Sequence, residues 1–363
     1  MSNLKPLELF SLIIIISIAS FVGIGFNVAL NISGQDTYLA IIIAFLLGIP
    51  SILGFILIFN YEKELSLNFK LQKLFGEVLG TIINYILIIV AFIIGITYMY
   101  NLINFTLNHY LDNTPIFIIG LIYLLLIVYT NFKGLTTISR MTFILLIINF
   151  VLFMFPLFNL MPKTNIDNLK PLLTNNFNNI LKSAFNIVLL TINNIFILLI
   201  IPQKRFKNTK KINKYIILAY IISIIILFFI SFITLNILGP RLSLFYQDPE
   251  YIVLKQVNLF NFLNRIENII SMQWLNGLYI SITMIIYYIS NSIKKDNDKK
   301  IIPVLAGTIV FILSMVIFKN NTIFYNFIMN ILPQIRLIAY ILFIIICITI
   351  LIKKKKNNDK SLF

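Results

Sequence analysis

The sequence predicts an all-α integral membrane protein of ten transmembrane helices. Two observations carry this: ten long apolar segments, and short loops whose lysines and arginines fall mostly on alternate sides. A bilayer core about 30 Å thick takes about 20 apolar residues of helix, because every backbone N–H and C=O must be satisfied within the segment. Hydrophobic residues make up 59% of the chain and mean hydropathy is +0.95, far from the values of a soluble domain.

The predicted spans are 9–30, 38–60, 78–107, 115–132, 139–160, 181–201, 213–238, 264–292, 301–318 and 331–352. What is left is loop, so the chain reads as one transmembrane domain over 1–363. Two short segments lie off the spans. Residues 62–76 place Leu67, Leu71, Leu74 and Phe75 on one helical face with lysines opposite, which predicts an amphipathic surface helix. Residues 249–263, opened by Pro249, fit a short interfacial or re-entrant helix. It lids a site or rests on the bilayer as a connector.

Net charge is +16, and its placement carries a topology signal. With the N-terminus inside, the outer loops hold only Lys163, Lys170, Lys182, Arg241, Lys255, Arg265, Lys319 and Arg336 of the 29 basic residues. This bias puts both termini in the cytoplasm and supports an even number of spans. A basic balance explained by topology gives no ground for nucleic-acid binding. Five spans per half means that 9–160 and 181–352 enter the membrane from opposite sides, which permits a 5+5 inverted repeat.

Chemistry is sparse. Cys347 is the only cysteine, so no intrachain disulfide forms, and His109 is the only histidine, which excludes a histidine metal cluster. There is no nucleophile–base pair, metal cluster or phosphate loop, so no enzyme, catalytic residue or cofactor is expected. Charged residues, Arg336 among them, sit at the ends of predicted spans and none near a middle, which argues against a proton relay.

Uncharged polarity does recur at helical spacing. Span 1 carries Ser17, Ser20, Asn27 and Asn31 on one face, with Gly23-Ile24-Gly25 between. Two close glycines weaken a helix and free carbonyls. The alternatives are an unwound segment lining a cavity and close helix packing through small residues. Span 3 has Thr97, Asn101, Asn104 and Asn108, with Tyr98 and Tyr100 beside them. Span 6 has Asn186, Asn193 and Asn194, and span 8 has Gln273, Asn276, Tyr279, Thr283 and Tyr287. Such faces avoid lipid and meet either other helices or a central polar cavity.

The chain resembles the B subunit of bacterial spore germinant receptors, within the amino acid–polyamine–organocation superfamily. The resemblance runs nearly end to end. It rests on Lys5-Pro6-Leu7-Glu8-Leu9-Phe10 leading into span 1, the Gly23-Ile24-Gly25 element, and Leu74-Phe75-Gly76 to Gly80. Further marks are Asn113-Thr114-Pro115, Leu169-Lys170-Pro171-Leu172-Leu173, Leu238-Gly239-Pro240, and Phe262-Leu263-Asn264-Arg265-Ile266-Glu267 before Trp274. The resemblance implies discontinuous helices 1 and 6 and a pocket for a small, often amino-acid germinant. It also implies two partner subunits, a large membrane subunit with soluble domains and a lipoprotein, and residence in the spore inner membrane.

The first-span glycines carry over onto Gly23 and Gly25. In span 6 the family's Gly-Phe-Glu-like stretch is replaced by Thr191-Ile192-Asn193-Asn194-Ile195, and Tyr100 and Asn101 stand where many relatives carry charges. The candidate ligand-binding residues are Ser20, Gly23, Gly25, Asn27, Tyr98, Asn101, Asn186, Thr191, Asn193, Asn194 and Asn276. The leading expectation is a germinant-binding receptor subunit; the alternative is a secondary transporter of amino acids or related solutes.

Overall fold

The structure, a computed structural model, describes residues 4–170, 173, 175–257, 266–293 and 301–360, the side chains of 356–360 excepted. Parts of three sequence features, at 171–172, 262–265 and 294–300, lie outside the described residues. The described residues form helices and no strand; one isolated parallel bridge joins Leu4 and Phe206.

In chain order the α-helices are α1 Pro6–Ser20, α2 Phe26–Ser33, α3 Thr37–Asn60, α4 Leu67–Phe75, α5 Glu77–His109, α6 Ile116–Lys133 and α7 Leu135–Leu160. They continue with α8 Phe177–Ile187, α9 Thr209–Phe245, α10 Pro249–Leu254, α11 Ile266–Ile293, α12 Ile301–Ile317, α13 Asn321–Asn326 and α14 Leu332–Lys360. Among the described residues, eight helical stretches are long and apolar enough to cross a membrane. One of these, Pro6–Asn60, contains α1, α2 and α3, while α12 is apolar but shorter at 17 residues.

Three irregularities shape the bundle. Between α1 and α2 the helix is broken: Val22 is extended (φ −68°, ψ 130°) and Gly23 is left-handed (φ 71°, ψ −11°). An L-residue with a Cβ pays a steric penalty in that region, so the glycine is what lets the chain turn there. After α8 the helix stays wound but changes pitch, to a π turn over Val188–Ile192 and a 3-10 stretch over Asn193–Ile200. Span 6 therefore shows an altered winding where span 1 shows a break. In α9, Gly239 (φ 72°) and Pro240 interrupt the helix near its end, as a missing N–H and a ring clash dictate.

The core lies where α1 packs on α7, α9 and α11, and where α5 packs on α11 and α12. Residues 183–200 are buried almost throughout, with α3, α2 and α14 around them, whereas few residues of α7 are buried.

The loops sort by end as the charge count groups them. Leu4 N donates to Arg205 O at 2.7 Å, Lys204 N to Lys63 O at 3.0 Å, and Lys353 Nζ to Lys73 O at 3.0 Å. Leu4, Lys353 and the loops near 63 and 204 therefore share one end of the bundle. At the other end Asn165 N donates to Asn236 O at 3.3 Å, and Lys163 Nζ bonds Gln256 O.

Helix α4 corrects one expectation. Leu67, Leu71 and Leu74 are buried as predicted, but Lys70 is buried with them at 1% exposure rather than lying opposite. Its ammonium donates to Ile58 O at 2.7 Å and Phe59 O at 3.1 Å, near the end of α3. A cation is favoured there because the last carbonyls of a helix lack partners and carry the negative end of its dipole. Burial pushes the Lys70 amine down to about 8. The apolar face of α4 packs on protein, chiefly α5.

Candidate functional site

The break at Val22–Gly23 is fully enclosed, and side chains from distant parts of the chain satisfy the Gly23 backbone. Gly23 N–H donates to Glu250 Oε1 at 3.2 Å, and Gly23 C=O accepts from Asn27 Nδ2 at 3.1 Å. Unpaired backbone groups in a buried site are costly, so an unwound segment there persists only with such partners. Asn27 Nδ2 also lies 3.0 Å from Gln247 O and 3.1 Å from Tyr325 Oη.

Residues 247–250 form a cover over the break. His109 Nε2 and Asp248 Oδ2 are 3.0 Å apart, tying the cover to α5. Tyr325 Oη donates to Gln247 O at 2.6 Å, and Asn321 Nδ2 donates to Gln247 Oε1 at 3.1 Å, tying it to α13. Tyr100 Oη completes the set, donating to Asn321 Oδ1 at 3.0 Å. The segment opened by Pro249 thus lies on the site. Its predicted extension to 263 passes beyond the described residues.

Glu250 is the group that residue-by-residue reading of the spans missed. It is 6% exposed, and its Oε2 has no partner among the described residues. Burial pushes its carboxyl up to about 8; the Gly23 N–H pulls the other way, and the Asp248 charge adds to the rise. The available signal was an acid inside an apolar run, Pro249-Glu250-Tyr251-Ile252-Val253-Leu254, with no basic neighbour until Lys255.

Beside the break, Val22, Gly23, Asn101, Phe105, Asp248, Trp274 and Leu278 enclose a space of about 10 Å³, room for roughly one water. A far larger cavity of about 390 Å³ lies between α1, α7, α9 and α11. Its walls are nearly all apolar, with Glu250 at one edge.

A second polar node lies below the break. A Cβ on Gly25 would stand 3.8 Å from Leu190 Cβ, so helix 1 meets the π turn of span 6 there. Leu190 O accepts from Arg336 Nη1. Arg336 Nη2 donates to Tyr98 Oη at 3.0 Å, and Asn194 Nδ2 donates to the same oxygen at 2.9 Å. Arg336 is 1% exposed. It was expected at a span end because the last span was read as 331–352. The helical stretch begins at Asn321, so Arg336 lies well inside it. The expectation that no ionisable group sits mid-span is overturned.

The other candidate residues divide. Asn101 is 6% exposed and stands against Gly23, where an added Cβ would meet its Nδ2 at 3.3 Å. Asn193 is buried at 5% in the 3-10 stretch. Ser20, Thr191 and Asn186 bond within their own helices, to Ser17 O, Ile187 O and Lys182 O at 2.8, 2.5 and 2.8 Å. Asn276 turns away from the break and donates to Asn149 Oδ1 on α7 at 3.2 Å. The span-8 face toward helix 1 is instead Gly277, where a Cβ would come within 2.9 Å of Ala19 Cβ.

A family model described as spore germination protein matches residues 3–323. Spore germination protein XB of Bacillus anthracis is 24% identical over 333 residues, covering 91% of this chain and 92% of the relative. Spore germination protein KB of Bacillus subtilis (strain 168) is 21% identical over 337 residues, covering 91% and 90%. Putative spore germination protein YfkT of the same organism is 26% identical over 197 residues, about half of each chain.

Proposed function

We propose that this chain, which belongs to the spore germination protein family, is the membrane-embedded subunit of a germinant receptor. Ten spans in a 5+5 inverted repeat, about 9–160 and 181–352, lie in the spore inner membrane with both termini cytoplasmic. The ligand is a small, amino-acid-like germinant, and two further subunits read its binding: a large membrane subunit with soluble domains and a lipoprotein.

The observation that carries the reading is the buried break at Gly23, closed over by Gln247–Glu250 and abutting Asn101. In the state described here the site is shut. A ligand enters only if 247–250 move, and a bond it makes to the Gly23 backbone replaces one made by Glu250 or Asn27. Binding therefore discriminates between closed and open forms, which is what shifting their populations requires. The small space left at the break suits a ligand of few atoms once the cover lifts.

Secondary transport is the second reading, and Glu250 is the observation that favours it. A buried carboxyl pushed up to about 8, bonded to the break, has the character a proton-coupled site needs. One experiment separates the two. The chain is reconstituted in liposomes and offered radiolabelled amino acids, first at equilibrium and then under an imposed pH gradient. The receptor reading predicts saturable binding without accumulation. Gradient-driven accumulation that disappears in Glu250→Gln establishes transport instead.

A further inference from the structure

Arg336 is a buried cation with no counter-charge among the described residues. The ion pairs among the described residues are Lys73–Glu62, His109–Asp248, Lys170–Asp167 and Lys204–Glu64, and none includes it. A guanidinium keeps its charge when buried, and buried charges are ordinarily paired. Lys70, also 1% exposed, finds its compensation at the carbonyl end of α3. Arg336 has only one carbonyl, one phenol oxygen and the Tyr98 ring face 5.7 Å from its Cζ.

Its donors are also incompletely used. Arg336 Nε is buried with no acceptor among the described residues. Tyr98 Oη accepts from both Asn194 and Arg336, which leaves the phenol proton without an acceptor at the same spot. A permanent charge and two idle donors, all shielded from water, meet at one point. What completes such a point is a small anion.

We infer that Arg336, with Tyr98, forms a binding site for one small monovalent anion, either the carboxylate of an amino-acid-like ligand or a free chloride. The Nε and Nη2 edge of a guanidinium offers parallel donors that match a carboxylate. Of that edge Tyr98 takes Nη2 alone, while Leu190 O takes Nη1. An anion on that edge competes with Tyr98 for Nη2 and so loosens the tie between α14 and α5, leaving the Nη1 bond to Leu190 O in place. The carboxylate source deepens the receptor reading and rests on it; the chloride source does not.

Binding is read directly on purified full-length protein in lipid nanodiscs, so it can fail while germination survives, and the reverse. The probes are sodium acetate and sodium chloride, with ionic strength held by sodium HEPES, whose anion is too bulky for this site. Thermal unfolding and Trp274 fluorescence are followed during titration. The expected result is a saturable rise in unfolding temperature with acetate, which assigns the site to a ligand carboxylate, or with chloride alone, which assigns it to the free ion. Arg336→Gln should weaken that response by about tenfold or more, as loss of a charged hydrogen bond does. Should that variant not fold, Arg336→Lys replaces it and should weaken acetate by at least about fivefold, because an ammonium lacks the parallel fork. The inference is overturned if neither anion gives a saturable response in the unaltered chain, or if the folded Arg336 variant responds like it.

Discussion

Glu250 accepts the backbone N–H of Gly23 at 3.2 Å, joining residues 227 apart in sequence. The bond places a titratable carboxyl on the Gly23 amide at the break in helix 1. It makes the docking of α10 depend on pH. The Glu250 carboxyl holds its proton up to about pH 8 in the folded protein, against an ordinary 4.5. Between those values the folded state binds more protons than the unfolded one, so docking weakens as pH rises through this window and the loss is complete above about 8. In a Cys347→Ser background, an Ile252→Cys thiol should therefore label faster above pH 8, after correction for its own ionisation. Glu250→Gln should flatten the profile; an unchanged profile would contradict this role.

Gly23 tolerates no side chain without strain. Its φ is +71°, and a Cβ would press on Asn101 at 3.3 Å. Gly23→Ala should lower stability by about 1–2 kcal/mol, the cost of a left-handed L-residue. Equilibrium unfolding in lipid–detergent micelles measures it, and equal stability would mean the break relaxes to helix.

Asn27 bonds the Gly23 carbonyl, Gln247 and Tyr325 at once. Asn27→Ala should cost more than Tyr325→Phe, which removes the Tyr325 bonds alone, roughly 0.5–1.5 kcal/mol for each net bond. The same unfolding assay ranks them. Equal costs would show that the carbonyl finds another partner.

The charge bias predicts sidedness. In intact cells an impermeant maleimide should label Phe245→Cys, at a residue 80% exposed, and spare Asn208→Cys. The reverse pattern would invert the topology.

The spans were legible because hydropathy over about 20 residues is a strong signal. The Gly23–Gly25 pair was legible as a weak point, and the structure resolves its two alternatives: Gly23 makes the break, while Gly25 stays helical and packs on Leu190. Arg336 was misplaced because Asn321–Ile331 carries three asparagines that mask the start of the helix. The absence of any charge between Lys319 and Arg336 was the usable signal. Polar spacing identifies a face of span 8 without identifying its neighbour; Asn276 bonds Asn149 on α7. The change of pitch after Ile187 has no glycine or proline to announce it.

The central claim, that germinant is sensed at the break in helix 1, is tested most directly by Gly25→Leu. The larger side chain meets Ser20 O and Phe21 at 3.1 and 3.2 Å from its first carbon, closing the gap against Leu190 without demanding an unusual φ. Spores carrying this variant are assayed for germinant dose response, with the protein quantified in the inner membrane. Normal protein levels and no response are expected. A normal dose response at normal levels would place germinant sensing elsewhere.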